Sequence, residues 1–213
     1  MASVEKFTQA AVVNQLRHIE RTIAHPSNKD IDSSIFAENY SLIPQREMTS
    51  YQYFKKRKSE LYCYNRADVK VMAGWIITAP KDLDKSLYKD FFNASYDFLC
   101  DRYQEKNCVQ AIVHHDESGQ PHLHFCFIPT TSDKKHGGEK ICAHDVLTKT
   151  DLKKFHPELQ KYLNARGIEA RVYTGITSKN GGNRTVQELK EERTISRWQT
   201  QEIQKVGDTK WNY

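Results

Sequence analysis

The run Val113–Phe125, VHHDESGQPHLHF, constrains this chain more than any other stretch. It reads as a β-hairpin with Gln110–Asp116 as one strand and Pro121–Pro129 as the next. Glu117, Ser118, Gly119 and Gln120 form the turn, where serine and glycine suit tight backbone geometry. Side chains alternate faces along a strand, so His122 and His124 share one face while Leu123, Phe125 and Phe127 share the other. His114 on the partner strand projects toward the same point. Three imidazoles on two paired strands can bind one divalent ion and leave positions open for a substrate oxygen and water. A lone His-x-His is often only a surface feature; the third histidine across a short turn, with Asp116 and Glu117 beside it, favours a metal site.

The remaining 200 residues limit what such a site can serve. The chain has 213 residues, 38% hydrophobic and 28% charged, which suits one globular domain with a substantial core. No apolar run approaches the roughly 20 residues that span a bilayer, and the N-terminal stretch does not read as a signal peptide. Five scattered cysteines without CxxC spacing argue against a zinc ribbon and for reduced thiols in the cytoplasm. A net charge of +5 permits nucleic acid without demanding it.

The pattern predicts a helix over residues 4–24, a short extended piece at Tyr40–Ile43, and a helix and loop over Met48–Val69. A central strand follows at Val69–Thr78, then an amphipathic helix over Leu83–Tyr103 with Leu87, Phe91, Ala94 and Phe98 along one side. Beyond the hairpin, ICAHDVL reads as a strand, and Asp151 caps a helix ending before Gly167. EARVYTG reads as another strand, SKNGGNR as a loop, and Thr185–Lys205 as a charged terminal helix. The expected class is α+β: a central antiparallel β-sheet flanked by helices. Lys55, Lys56, Arg57 and Lys58, interleaved with aromatics, suit either an exposed helix face or contacts to DNA phosphates.

No H-E-x-x-H helix is present, which argues against a zinc protease. An oxygen-activating iron site would need Asp116 or Glu117 in place of one imidazole. Phosphodiester chemistry needs a cation at the non-bridging oxygens, an in-line nucleophile and cationic support.

His114-x-Asp116-Glu117 followed by Pro121-His122-x-His124 resembles the H-x-D-E-x-x-P-H-x-H signature of the MobV (Pre/Mob) relaxases of the HUH endonuclease superfamily. His18-Ile19-Glu20-Arg21 resembles that family's H-x-x-R element. Ser27-Asn28-Lys29-Asp30, with Asn39-Tyr40-Ser41-Leu42, is similar to its SNKDI…NY-x-L stretch. Trp75–Thr78 and Thr185–Lys190 match two further elements, so the resemblance spans about residues 14–190. It implies an HUH relaxase-like palm and a single relaxase domain over residues 1–213, the N-terminal part of a longer bacterial cytoplasmic protein. It also implies nicking of one strand at an origin of transfer for plasmid mobilisation, with Mn²⁺ or Mg²⁺ as cofactor. Single-stranded or hairpin-containing origin DNA and the conjugation machinery would be the partners.

By this resemblance His18 is the nucleophile; Arg21, one helical turn on if the helix continues, can steady the scissile phosphate, and Lys29 and the Lys55–Lys58 run are candidate DNA contacts. His114, His122 and His124 hold the metal. Imidazole is largely neutral and nucleophilic at pH 7, whereas a phenol needs activation; Tyr40 is the tyrosine alternative. Glu117 can accept a proton from His18, and Asp116 can hold a ligand histidine by its second ring nitrogen. The turn holds one residue more than the family spacing, which should displace Glu117 more than the histidines. His25, His136, His144 and His156 read as surface histidines. The rivals are a tyrosine-dependent replication initiator or transposase, drawing on Tyr62, Tyr64 or Tyr96, and a non-catalytic DNA-binding module with a structural metal.

Overall fold

The computed structural model describes residues 2–24, 28 and 30–173, and the chain up to Tyr173 forms one compact unit. Five strands make an antiparallel sheet: β1 (Ala2–Thr8), β2 (Tyr40–Ser41), β3 (Lys70–Thr78), β4 (Cys108–His114) and β5 (His122–Phe127), in the spatial order β1-β3-β5-β4-β2. The β4–β5 hairpin therefore occupies the middle. Its ladder pairs His114 with His122 and Ile112 with His124, while β3 places Ile76 against His124. A separate ribbon pairs β6 (Thr130–Ser132) with β7 (Glu139–Ile141).

Both faces of the sheet are covered. Helices α1 (Gln9–Ile19) and α2 (Ser50–Ser59) pack on one face through Val12, Leu16, Ile19 and Phe54, against Val71, Val109 and Cys126. Helices α3 (Tyr88–Tyr103) and α5 (Lys149–Asn164) cover the other through Phe91, Phe98, Leu99, Phe155 and Leu159, against Trp75, Val113, Leu123 and Phe125. Trp75 anchors that side: its ring stacks on Phe155 at 3.6 Å, and its indole N–H donates to Tyr103 Oη at 3.1 Å. Such a ring pair adds about 0.5–1.5 kcal/mol beyond its buried area. Alternation along β5 thus gives Leu123, Phe125 and Phe127 to the α3 side and leaves His122 and His124 toward α1. One further single-turn helix, α4 (Ala143–Val146), links β7 to α5.

Four expectations need correction. Residues 2–8 form an edge strand, not the start of a helix. Val4 and Phe7 are three apart and mimic a helical stripe, but in β1 they serve the cores on opposite faces. In ICAHDVL the strand ends at Ile141, and residues 143–146 turn into α4. Thr148, not Asp151, caps α5 by accepting from Asp151 N; the Asp151 carboxylate instead pairs with Arg102. Residues 169–173 are not a strand: Gln160 takes the place of a strand partner, donating to Ala170 O at 2.8 Å and accepting from Val172 N at 2.9 Å. The loop SKNGGNR and the helix expected at 185–205 lie outside the described residues. Among the described residues no helix is long and apolar enough to cross a membrane.

Candidate active site and metal centre

The three hairpin histidines converge on the α1 face. Their ring centroids lie 4.6 Å (His114–His124), 4.8 Å (His122–His124) and 5.5 Å (His114–His122) apart. One ligand atom from each, together with a Glu117 oxygen, falls within 4.8 Å of all the others. Backbone carbonyls fix the tautomers, because a carbonyl can only accept. His114 Nε2–H donates to Ile19 O at 2.8 Å and His122 Nδ1–H to Gln120 O at 3.3 Å. The lone pairs left over, on His114 Nδ1 and His122 Nε2, turn inward. His124 supplies a third: its Nε2 is buried without a hydrogen-bond partner. An orphaned polar atom in such a place costs free energy unless something binds it. The donor set of three imidazole nitrogens and one carboxylate oxygen fits a borderline or hard divalent ion.

Burial is the main cause that keeps these rings neutral. It pushes His122 below its ordinary value and His124 well below it, and with the nearby Arg21 charge it brings His114 down to about 4. Neutral imidazole is the form that binds metal. A cavity of about 310 Å³ lined by Glu5, Phe7, Gln15, Gly74 and Ile76 opens beside His124.

His18 lies in the last turn of α1. Helix α1 then ends in a Schellman motif: Arg21 N–H bonds His18 O at 3.2 Å and Thr22 N–H bonds Arg17 O at 3.0 Å. Arg21 takes the left-handed position at φ 57°, where glycine is usual. The helix therefore does not continue to carry Arg21 one turn above His18; the reversal swings its guanidinium under the hairpin. There Nε–H and Nη2–H clasp Asp116 at 2.7 and 2.8 Å, Nη2 also reaches Glu117 at 2.7 Å and His114 Nδ1 at 2.9 Å, and Nη1 returns to His18 O at 3.1 Å. Burial, then the Arg21 charge, lowers the pKa of His18, with Glu117 and Asp116 opposing. His18 is half-buried, and its ring lies close enough to feel all three charges.

Asp116 is fully buried and touches Arg21 rather than a ligand histidine. The chain leaves the β4–β5 ladder after His114 and pairs instead with the segment before residue 33. Asp32 N–H bonds Asp116 O at 2.8 Å, and Ile31 bridges Glu117. Burial alone would raise the Asp116 carboxyl, but hydrogen bonds from Arg21 and Asn39 hold it down at about 2. The long turn, with Gly119 at φ 143°, thus takes up its extra residue without removing Glu117 from the cluster. Asn39 went unassigned from sequence: its amide bonds Asp116, and its Oδ1 accepts from His115 N at 2.8 Å. Its place beside Tyr40 in the NY-x-L stretch was the available signal. The Ile19 and Gln120 carbonyls, which set the tautomers, leave no mark in side-chain identity.

Other candidates fall elsewhere. Tyr40 pairs with Val113 and packs against the α3-side core, on the face opposite the histidines, and burial raises its phenol. Tyr96 also lies on that side, edge-on to Phe125, and Tyr62 stacks on His136 at 3.7 Å beside the β6–β7 ribbon. Arg57 turns inward: it is buried and bonds Asn107, Glu60 and Glu139. Lys55 and Lys56 are exposed and Lys58 is half-buried. His156 is no surface residue; it is half-buried and accepts from Ala2 N at 3.2 Å. Lys29 and His25 lie outside the described residues.

An antiparallel sheet thus carries three converging histidines on its central hairpin, faced by a helix end that bears His18 and Arg21. Residues 1–191 match the Mob_Pre family, described as plasmid recombination enzyme, and the chain belongs to that family. It is 29% identical over 198 residues to a plasmid recombination enzyme of Streptococcus agalactiae, covering 89% of this chain and 38% of that protein. With a plasmid recombination enzyme of Lactiplantibacillus plantarum the identity is 30% over 198 residues, covering 89% and 52%. The chain thus spans about half or less of these relatives' length. Among solved structures, the Mn-bound MobM relaxase domain on plasmid pMV158 oriT DNA superposes with a TM-score of 0.73 at 28% identity, covering 90% of this chain and 97% of that one.

Proposed function

We propose that the chain is the catalytic domain of a divalent-metal-dependent DNA relaxase that nicks one strand at an origin of transfer, with His18 as nucleophile. The observation that carries this reading is the convergence of three imidazoles and Glu117, with a half-buried His18 close enough to feel the Glu117, Asp116 and Arg21 charges. His114, His122 and His124, with Glu117, would hold Mn²⁺ or Mg²⁺, which supplies charge to polarise a scissile phosphate. A His18 ring nitrogen attacks phosphorus as the bond to the 3′ oxygen breaks. The proton on the other ring nitrogen passes to a carboxylate, with Glu117, whose charge His18 feels, as the candidate, and from there to the departing 3′ oxygen, which leaves as a hydroxyl. The 5′ phosphate stays on His18 as a phosphoramidate, so the reverse reaction can rejoin the strand.

Arg21, anchored by Asp116, offers cationic support, and Lys55, Lys56 and Lys58 on the same side of the sheet add charge for the DNA backbone. Single-stranded or hairpin-containing origin DNA is the substrate. Plasmid mobilisation in the bacterial cytoplasm, with conjugation proteins as partners, is the setting, and residues 1–213 act as the N-terminal relaxase domain of a longer protein. The test uses a labelled single-stranded origin oligonucleotide from the element that encodes the chain. Cleavage should need Mn²⁺ or Mg²⁺, stop with chelator, and yield a 3′ end that a polymerase extends. Chelator-resistant cleavage, or a free 5′ end, contradicts the proposal.

A further inference from the structure

We infer that Arg21 and the catalytic cation compete for the lone pair of His114 Nδ1, so that loading the metal centre and releasing Arg21 toward the substrate phosphate are one linked event. This rests on the metal centre proposed above. Arg21 Nη2 carries two hydrogens but faces three acceptors: Asp116 Oδ1 at 2.8 Å, Glu117 Oε1 at 2.7 Å and His114 Nδ1 at 2.9 Å. Two of those, Glu117 and His114, belong to the four-residue ligand cluster; Asp116 does not. His114 has no other lone pair to offer, because its Nε2–H is committed to Ile19 O. A guanidinium hydrogen and a divalent ion cannot share one lone pair.

Arg21 must therefore give up His114 Nδ1 before that nitrogen can ligate, whereas Glu117 bonds Arg21 through Oε1 and keeps Oε2, which lies 4.0 Å from His122 Nε2, for the cation. The Nε–H bond to Asp116 Oδ2 at 2.7 Å involves no ligand atom and can persist as the pivot. The Nη2 hydrogens set free become available to a phosphate beside His18, to whose carbonyl the same guanidinium is tied through Nη1 at 3.1 Å. The placement of Arg21 argues that its side chain, not its backbone, is what the site requires. The left-handed position, φ 57°, is strained for a non-glycine residue, and a glycine there would complete the same helix end. Linkage makes the coupling reciprocal: a phosphate that takes up the released hydrogens should tighten cation binding, and the cation should tighten phosphate binding.

The experiment measures Mn²⁺ affinity from the free-ion paramagnetic resonance signal, for the wild-type chain and for R21K. A lysine ammonium can keep the charge beside Asp116 but cannot span Asp116, Glu117 and His114 together. R21K should bind Mn²⁺ about tenfold more tightly than wild type. Unchanged or weaker binding in a folded R21K protein overturns the inference, since a merely structural arginine would give that result. Should R21K fail to fold, nitrogen-15 resonances of the wild-type Arg21 guanidinium during a Mg²⁺ titration decide. They should shift in step with those of His114, and a fixed guanidinium signal beside shifting imidazoles overturns the coupling. No Mn²⁺ binding by the wild-type chain would sink the metal centre itself, a failure distinct from either.

Discussion

Replacing Asp116 with asparagine keeps the side-chain shape while removing the charge that holds Arg21. Asp116 is fully buried and accepts from Arg21 at 2.7 and 2.8 Å. The substituted amide would turn a donor toward guanidinium donors. Breaking a buried ion pair by removing one partner costs about 3–5 kcal/mol. Glu117 still faces Arg21 at 2.7 Å, which places the expected loss near the lower end, about 3 kcal/mol at pH 7. Urea denaturation followed by circular dichroism measures it. The pH dependence sharpens the test. In the folded chain the Asp116 carboxyl lies at about 2, against an ordinary value of 3.8, so between these values the unfolded chain binds more protons. Its contribution is complete above the ordinary value and is lost as pH falls through 3.8 toward 2. The gap between wild type and D116N should therefore narrow by about 2 kcal/mol between pH 5 and pH 2. A gap below about 0.5 kcal/mol at pH 7, or one that does not change with pH, refutes the Arg21–Asp116 clasp.

His124→Ala removes an unpartnered buried nitrogen, so metal-free stability should change far less than metal binding. Thermal melts with MnCl₂ should lose the stabilisation of about 2.7 kcal/mol expected for wild type at a hundred times its Kd. Tyr40→Phe should leave the covalent adduct yield within about twofold, as the phenol lies on the far face; a loss of about tenfold, or 1.4 kcal/mol in the barrier, would restore it as a candidate. Arg57→Ala should cost about 2 kcal/mol in a urea melt by leaving the buried Asn107 Oδ1 without its donor, while Glu139 keeps Lys106. The pair Lys55→Ala and Lys58→Ala should shift stability by less than about 0.5 kcal/mol while weakening DNA binding and flattening its salt dependence.

The central hairpin was legible because its alternation carries two messages at once: histidines on even positions, core apolars on odd ones. Helix α3 was legible by its one helical period, and strand β3 as a continuous apolar, β-branched run buried on both faces. Strand β1 was not, since an edge strand serving a core on each face has no single-face period to read. The 169–173 segment misled because burial of Ala170 and Val172 mimics a strand while Gln160 satisfies the backbone. At the site, the convergence of His114, His122 and His124 followed from spacing alone. The position of Arg21 did not, because it depends on a Schellman ending built on a non-glycine residue, and Asp116 was misassigned because the chain quits the hairpin ladder at His114. The tautomers depend on the carbonyls of Ile19 and Gln120, which any residue would supply.

The most direct test of His18 as nucleophile is to map the covalent adduct. The wild-type chain is incubated with Mn²⁺ and single-stranded origin DNA, digested, and the nucleotide-bearing peptide sequenced by mass spectrometry. The nucleotide should sit on His18 through an acid-labile phosphorus–nitrogen bond, and His18→Ala should form no adduct. An acid-stable adduct on Tyr40 or another tyrosine, or an adduct that survives His18→Ala, would contradict the account.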